Sequence, residues 1–365
     1  MKLIALKDVC KINMGQSPNS SSYNDYGDGM PFFQGNADFG ERYPITRVWC
    51  NTPTKIAQAE DILISVRAPI GALNYAKEEC CIGRGLAAIT PDRNKVSQDF
   101  IYWALKGKKA ELNDKGNGST FKAISRKILE ETMIPDINFE QQHKCAENLE
   151  KIYGIIQNRR KELLALDDLI KARFVELFDG KYPEDTLLNL CNIIDYRGKT
   201  PKKVERGLPF ITAKNVKMHH MTLEPLEYIS KETYDKVMVR GFPKEGDVVF
   251  TTEAPLGNVC RIPHFNTEFY IGQRIVTMQT EELNPTYLEY ALSDEEFIRK
   301  YMGNSSGSTV IGIRVRLLEQ LTIQVPPRGL QDEFAIFVEQ VDKSKLMFQK
   351  LHQKLNILQK KAGDI

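Results

Sequence analysis

One phrase stands twice in this chain. "VRAPIGALNYA" occupies residues 66–76 and "TEAPLGNVCRI" residues 252–262, about half of the 365 residues apart. Self-similarity at that spacing constrains the fold before any other signal. Further matches keep the same order. "LKDVCKINMGQSP" (6–18) returns as "LLNLCNIIDYRGKTP" (187–201), "MPFF" (30–33) as "LPFI" (208–211), and "AEDILISVRAPIG" (59–71) as "EGDVVFTTEAPLG" (245–257). "YWAL" (102–105) returns as "EYAL" (289–292), "GST" at Gly118 returns at Gly307, and "FEQQHKCAENL" (139–149) stands where "LQDEFAIFVEQ" (330–340) stands later. The drifting offset is what small loop insertions produce. The chain reads as two copies of one unit.

Each copy has the same local grammar. Ile62-Leu63-Ile64-Ser65-Val66 and Val248-Val249-Phe250-Thr251-Thr252 are strands by β-propensity, each preceded by an Asp. APIG and APLG fit a type I turn, with Pro second and Gly fourth. "NYAKEECCIG" and "NVCRIPHFNTEFYIG" suggest a further hairpin, and a helix follows in each copy. Ser97 and Asn284 are N-cap candidates for those helices, and Pro285 suits a first helical position.

The end of each copy is helical. From Glu140 to about Phe178 there is no Pro and one Gly, Gly154. Leu149, Ile156, Leu163, Ile170 and Leu177 repeat every seven residues, with Ile152, Arg159, Leu166 and Arg173 in the other heptad position. Phe334, Val341, Phe348 and Leu355 form one C-terminal row; Phe337, Ser344, Leu351 and Leu358 form the other. Sustained three-and-four spacing is a coiled-coil seam. Neither helix can bury its stripe alone, so an antiparallel pair is expected. The expected fold is α+β: two similar domains of mixed β-sheet and short helices, separated by an antiparallel coiled coil and related by a pseudo-two-fold axis. The boundaries expected are 1–138 for the first domain, 139–180 for the central helix, 181–328 for the second domain and 329–365 for the C-terminal helix.

Composition narrows the function. With 42% hydrophobic and 27% charged residues the chain suits a soluble globular protein, and no apolar run reaches the roughly 18 residues of a membrane span. The start, MKLIALKDVCKI, carries charges where an export signal needs an apolar core, so a cytoplasmic location is expected. Seven cysteines without a CxxC pair suit reduced thiols. The net charge of +2 is neutral on nucleic acid, since a binder needs a local basic surface. Arg197, Lys199, Lys202, Lys203 and Arg206, opposed only by Glu205, make one such cluster.

Catalytic signatures fail on inspection. Gly198-Lys199-Thr200 resembles the end of a phosphate-binding loop, but Ile193 stands where that motif needs Gly. Asn284-Pro285-Thr286-Tyr287 lacks the second Pro of an amino-methyltransferase tetrapeptide and has no glycine-rich loop upstream. The five histidines make no zinc spacing, and His219-His220 are expected to face solvent or DNA. No metal or cofactor is expected on this chain. A binding protein is favoured.

Two similar domains on a stiff spacer suit a two-part linear target, and double-stranded DNA is the obvious one. Arg, Lys, Asn and Gln read base edges, and the loops of the two copies carry different sets of them. The candidates in copy one are Gln16, Ser17, Tyr23, Gln34, Asn36, Arg42, Arg47, Arg67, Arg84 and Ser119. In copy two they are Arg197, Lys199, Lys202, Lys203, Lys214, Asn215, His219, Gln273, Arg274 and Ser308. Matched scaffolds with unmatched polar loops are expected of two readers of different sequences.

On this organisation the whole chain resembles the specificity subunits of Type I restriction–modification systems. The resemblance is carried by two repeats, each closed by "GST…IP" or "GST…VP" and then a Gln/Glu-rich helix start, and by "LIKARFVELFDG" (169–180), similar to the end of that family's central helix. It implies two target-recognition domains and a DNA-reading subunit without catalysis of its own. It also implies docking of two adenine methyltransferase subunits that use S-adenosylmethionine, and support of an ATP-driven restriction subunit that needs ATP and Mg. The second spacer ends at Ile365, so the longer tail of some relatives is not expected here. The rival readings are a non-DNA coiled-coil adaptor, a specificity subunit serving a fused methylase–nuclease, and a stand-alone enzyme.

Overall fold

The computed structural model describes residues 2–117, 122–196, 201–307 and 311–363, with side chains described up to residue 346. It divides into two compact units, Met1–Arg160 with Gln349–Ile365, and Lys161–Phe348.

In the first unit a four-stranded antiparallel sheet runs in the order Cys10–Met14, Leu86–Pro91, Ile62–Ser65, Leu73–Tyr75. Its central strands are buried on both faces. Ile62, Ile64, Ala87 and Ile89 pack with the helix Gln98–Gly107, while Leu63, Leu86 and Ala88 face Phe33 and Ile82 of a second, five-stranded sheet. The period-two alternation of strands thus assigns alternate residues to two cores. Leu3–Ala5 pairs antiparallel with Met133–Pro135 and brings the chain start beside the approach to the long helix.

The second unit repeats this plan. Asn192–Asp195, Ile275–Gln279, Val248–Thr251 and Val259–Arg261 form the matching sheet in the matching order. Val248 and Phe250 pack toward the helices, and Val249 toward the other sheet. The parallel pairing Phe32↔Cys81 in one unit is matched by Phe210↔Tyr270 in the other.

Two local expectations are corrected. The segments after the repeated phrase do not form hairpins. Leu73–Tyr75 stays in the first sheet beside Ile62–Ser65, while Cys80–Ile82 crosses to the second sheet, where all three residues are buried. Val259–Arg261 and Tyr270–Ile271 part in the same way. The proline turn lacks the type I hydrogen bond, because the Gly71 N–H donates to the Ser65 carbonyl and the Gly257 N–H to that of Thr251, at 2.9 Å each; the Ala68–Pro69 and Ala254–Pro255 peptide bonds are cis. Its repetition has a steric cause at Gly257. That residue has φ +91°, and a Cβ there would lie 2.2 Å from the Tyr301 hydroxyl. Ser65 and Thr251 clasp the turn, accepting the Ala72 and Asn258 N–H groups at 2.9 Å each.

A continuous helix covers Phe139–Phe178 and another covers Arg328–Gly363. Of the expected seam, Leu149, Ile156, Ile170, Phe334 and Val341 are buried, and Leu163 and Leu177 are half-buried. The side chains of Phe348 and Leu355 lie outside the described residues. Leu149 belongs to the core of the first domain. Within the second unit, Phe174 and Phe178 join Phe334 and Tyr287, with ring centroids 5.4 Å (Phe174–Phe334) and 4.8 Å (Phe178–Tyr287) apart. Ion pairs Arg173–Glu333 and Asp167–Lys345, both at 2.7 Å, link the helices there. The first partner's number rises as the second's falls, so these segments run antiparallel.

Candidate nucleic-acid interface

Each unit gathers its loops at one edge, where its two sheets meet. In the first, Gln16 N–H donates to the Ile82 carbonyl at 3.0 Å, Gly85 N–H to Gln34 at 3.0 Å, and Val66 N–H to Gly85 at 2.9 Å. Arg67 bridges Ala123. Five segments distant in sequence are therefore stitched together by backbone. Gly83 and Gly85 are glycines because the chain passes so close: Cβ atoms would lie 2.7 Å from Gln34 Oε1 and 2.5 Å from the Gln34 carbonyl. Ser17 Oγ accepts the Arg84 N–H at 3.3 Å and donates to Gln34 Oε1 at 3.0 Å. Gln16, Gln34, Arg67 and Arg84 are exposed around it. This edge is rigid below and polar above, as a surface that reads base edges must be.

The second unit builds the same edge from different side chains. Gly272 N–H donates to Ile211 at 2.8 Å, Thr252 N–H to Arg274 at 3.0 Å and Ile313 N–H to Thr252 at 2.9 Å. Gln273 and Arg274 are exposed there. Thr252, Glu253, Gln273, Ser306, Gly312 and Arg314 line a shallow depression.

Other candidates sit elsewhere. Tyr23 is half-buried, stacked on Phe32 at 4.7 Å and donating to Pro18. Asn36 is half-buried beside the edge; Arg47, Lys202 and Lys214 are exposed. Lys203 is tied to Glu227 at 2.8 Å. Ser119, Arg197, Lys199 and Ser308 lie outside the described residues.

Three candidates are turned inward. Asn215 is 1% exposed, and its amide accepts from the Thr212 N–H and hydroxyl and donates to the Thr222 and Pro225 carbonyls, which uses its full capacity. Arg42 lies over the rings of Tyr75 and Tyr102 and pairs with Glu150 of the long helix at 2.7 Å. His219 was expected to face solvent or DNA; instead it stacks on Tyr290 at 4.3 Å with Nδ1 3.0 Å from the buried Glu289, which also pairs with Arg261 at 2.6 Å. Arg42 and His219 thus join their loops to the helical side of their domains, and Asn215 ties its own loop together.

Two functions went unread in the sequence. Glu253 stands where copy one has Arg67, and its Oε1 lies 2.8 Å from Arg274 Nε. Gln142 and Gln331, both buried, fasten each long helix to the domain before it. Gln142 accepts the Ser97 N–H and Gln331 the Asn284 N–H, at 2.7 Å each. Their amides donate to Ile137 and Pro326 at 2.8 Å. The repeated Gln in "EQQH" and "LQDE" was the available signal.

Among the described residues no group of three His, Cys, Asp or Glu side chains is placed to hold a metal ion. Nor is any helix there long and apolar enough to cross a membrane.

Comparison with known proteins bears on the same architecture. The putative Type I restriction enzyme MjaX specificity subunit of Methanocaldococcus jannaschii is 44% identical over 171 residues, 47% of this chain and 40% of that protein. The MjaIX specificity subunit of the same organism is 22% identical over 370 residues, 92% of this chain and 85% of that one. The crystal structure of a Type I restriction–modification system S subunit from M. genitalium shares the fold. Its TM-score is 0.59 at 16% identity, over 99% of this chain and 94% of that one. A family profile described as "Type I restriction modification DNA specificity domain" matches residues 1–166 and again 184–358, so two copies of one domain type cover nearly the whole chain, and the chain belongs to that family.

Proposed function

We propose that this chain is the DNA-reading subunit of a Type I restriction–modification assembly, each domain recognising one half of a bipartite site. The observation that carries this reading is the matched edge: Val66 to Gly85, Gly83 to Phe33 and Ile124 to Val66 in one domain are repeated as Thr252 to Arg274, Gly272 to Ile211 and Ile313 to Thr252 in the other, yet the edges present Gln16, Gln34, Arg67 and Arg84 in one and Gln273, Arg274 and Glu253 in the other. Domains 1–138 and 181–328 are the two readers. The helices 139–180 and 329–365 form an antiparallel coiled coil that relates the readers by a pseudo-two-fold axis and sets the gap between half-sites. The antiparallel ion pairs Arg173–Glu333 and Asp167–Lys345 support that pairing.

The chain itself catalyses nothing on this reading. Adenine methyltransferase subunits that dock on it use S-adenosylmethionine, and an ATP-dependent restriction subunit uses ATP and Mg. The assembly works in the cytoplasm. The test is methyl transfer to adenine in DNA. The purified chain alone should give none, while the chain with its methyltransferase subunits should methylate one bipartite motif, and deleting its gene should strip that motif of methylation in the host genome. Methyl transfer by the chain alone, or an unchanged methylated motif after deletion, contradicts the reading.

A further inference from the structure

The charge is reversed between the two edges at one matched position, Arg67 in the first copy and Glu253 in the second. A carboxylate on a surface that lies against phosphates is unfavourable unless it has a partner there. Glu253 has one, with its Oε1 2.8 Å from Arg274 Nε. The two side chains are 43% and 53% exposed, and a pair so exposed contributes little to folding. Its backbone is nevertheless held firmly. Glu253 bridges Gly312, where a Cβ would come within 3.0 Å of the Glu253 Cβ, and the Arg274 carbonyl accepts the Thr252 N–H at 3.0 Å. A guanidinium that meets its carboxylate at Nε still has Nη1 and Nη2 to offer as donors. Those two donors match O6 and N7 on the major-groove edge of guanine.

We infer that Arg274 reads a guanine in the half-site recognised by the second domain, and that Glu253 is the positioning residue that aims it. The inference rests on the DNA-reading function proposed above. The first domain has Gly85 at the place of Arg274, so it has no side chain to make this contact from that position.

The experiment uses the chain assembled with its methyltransferase subunits, as wild type and as R274A, R274K and E253Q. Binding is measured on duplexes in which each guanine of the motif is replaced in turn by 7-deazaguanine, which lacks the N7 acceptor. Methylated motifs are mapped in parallel. One guanine is expected at which 7-deazaguanine weakens wild-type binding by roughly 5- to 150-fold and leaves R274A binding unchanged. R274A should relax the motif at that position and leave the other half-site intact. R274K keeps the charge but not the fork, and should lose the same discrimination. E253Q should lose part of it at that base pair and none elsewhere. Equal sensitivity of wild type and R274A at every guanine overturns the inference; if R274A does not assemble, R274K decides by the same comparison. A wild-type complex that methylates no bipartite motif would instead overturn the function on which it rests.

Discussion

Lys106 sits among aromatic faces at the base of the first domain. Its Nζ is 3.8 Å from the ring centroid of Tyr153, 4.6 Å from Trp103 and 5.4 Å from Tyr102. Burial, reinforced by the charges of Arg42, Lys109 and Arg160 and opposed by Glu150, pushes its pKa down from 10.5 to about 8. A lysine whose folded pKa lies below its unfolded one penalises folding below about pH 8. The penalty fades as pH rises through the window from about 8 to 10.5. Lys106→Met should therefore raise the melting temperature at pH 7, with an advantage over wild type that shrinks by pH 9.5. A lower melting temperature at pH 7 would show that the ring contacts outweigh burial. At this scale the sequence was legible by residue type and not by direction. Arg42, Asn215 and His219 have the side chains of base readers, but Asn215 is consumed within its own loop, and Arg42 and His219 by partners far away in sequence. For Arg42 that partner is Glu150, 108 positions away.

The elements were more legible because period and propensity act locally. The runs Ile62–Ser65 and Val248–Thr251 are strands, and Asn284 caps a helix with Pro285 in its first turn. The supposed hairpins failed because Cys80–Ile82 and Tyr270–Ile271 find partners in the second sheet, a tertiary choice open to any short apolar run. The heptad row also omitted Phe174 and Phe178. A straight helix drifts about 20° per heptad, and this one must face both a partner helix and a domain. Where helix meets domain, Gln331 is buried with both amide groups engaged. Gln331→Leu would strand the Asn284 N–H and the Pro326 carbonyl and should cost about 1–3 kcal/mol in urea unfolding. A cost near zero would mean that the contact does not fix the helix to the domain.

At the scale of the molecule the duplication was the strongest signal, since it depends on order along the chain and not on any single side chain. On the proposed arrangement the helices act as a ruler. One heptad inserted in the middle of 140–178, with a matching heptad in the C-terminal helix, keeps the seam and adds about 10 Å, or about three base pairs. The domains also turn about the DNA by roughly 34–36° per added base pair. The expected outcome is either a wider gap between unchanged half-sites or lost methylation with folding intact. Methylation of the original motif with its original gap would rule out the ruler. The claim beneath all of this is that each domain reads its own half-site. It is tested most directly by mapping methylated adenines in a host whose chain carries alanine at Gln16, Gln34, Arg67 and Arg84, the exposed edge of the first domain alone. The account predicts a motif with one half relaxed, the other half and the gap unchanged; a motif altered in both halves, or in neither, would contradict it.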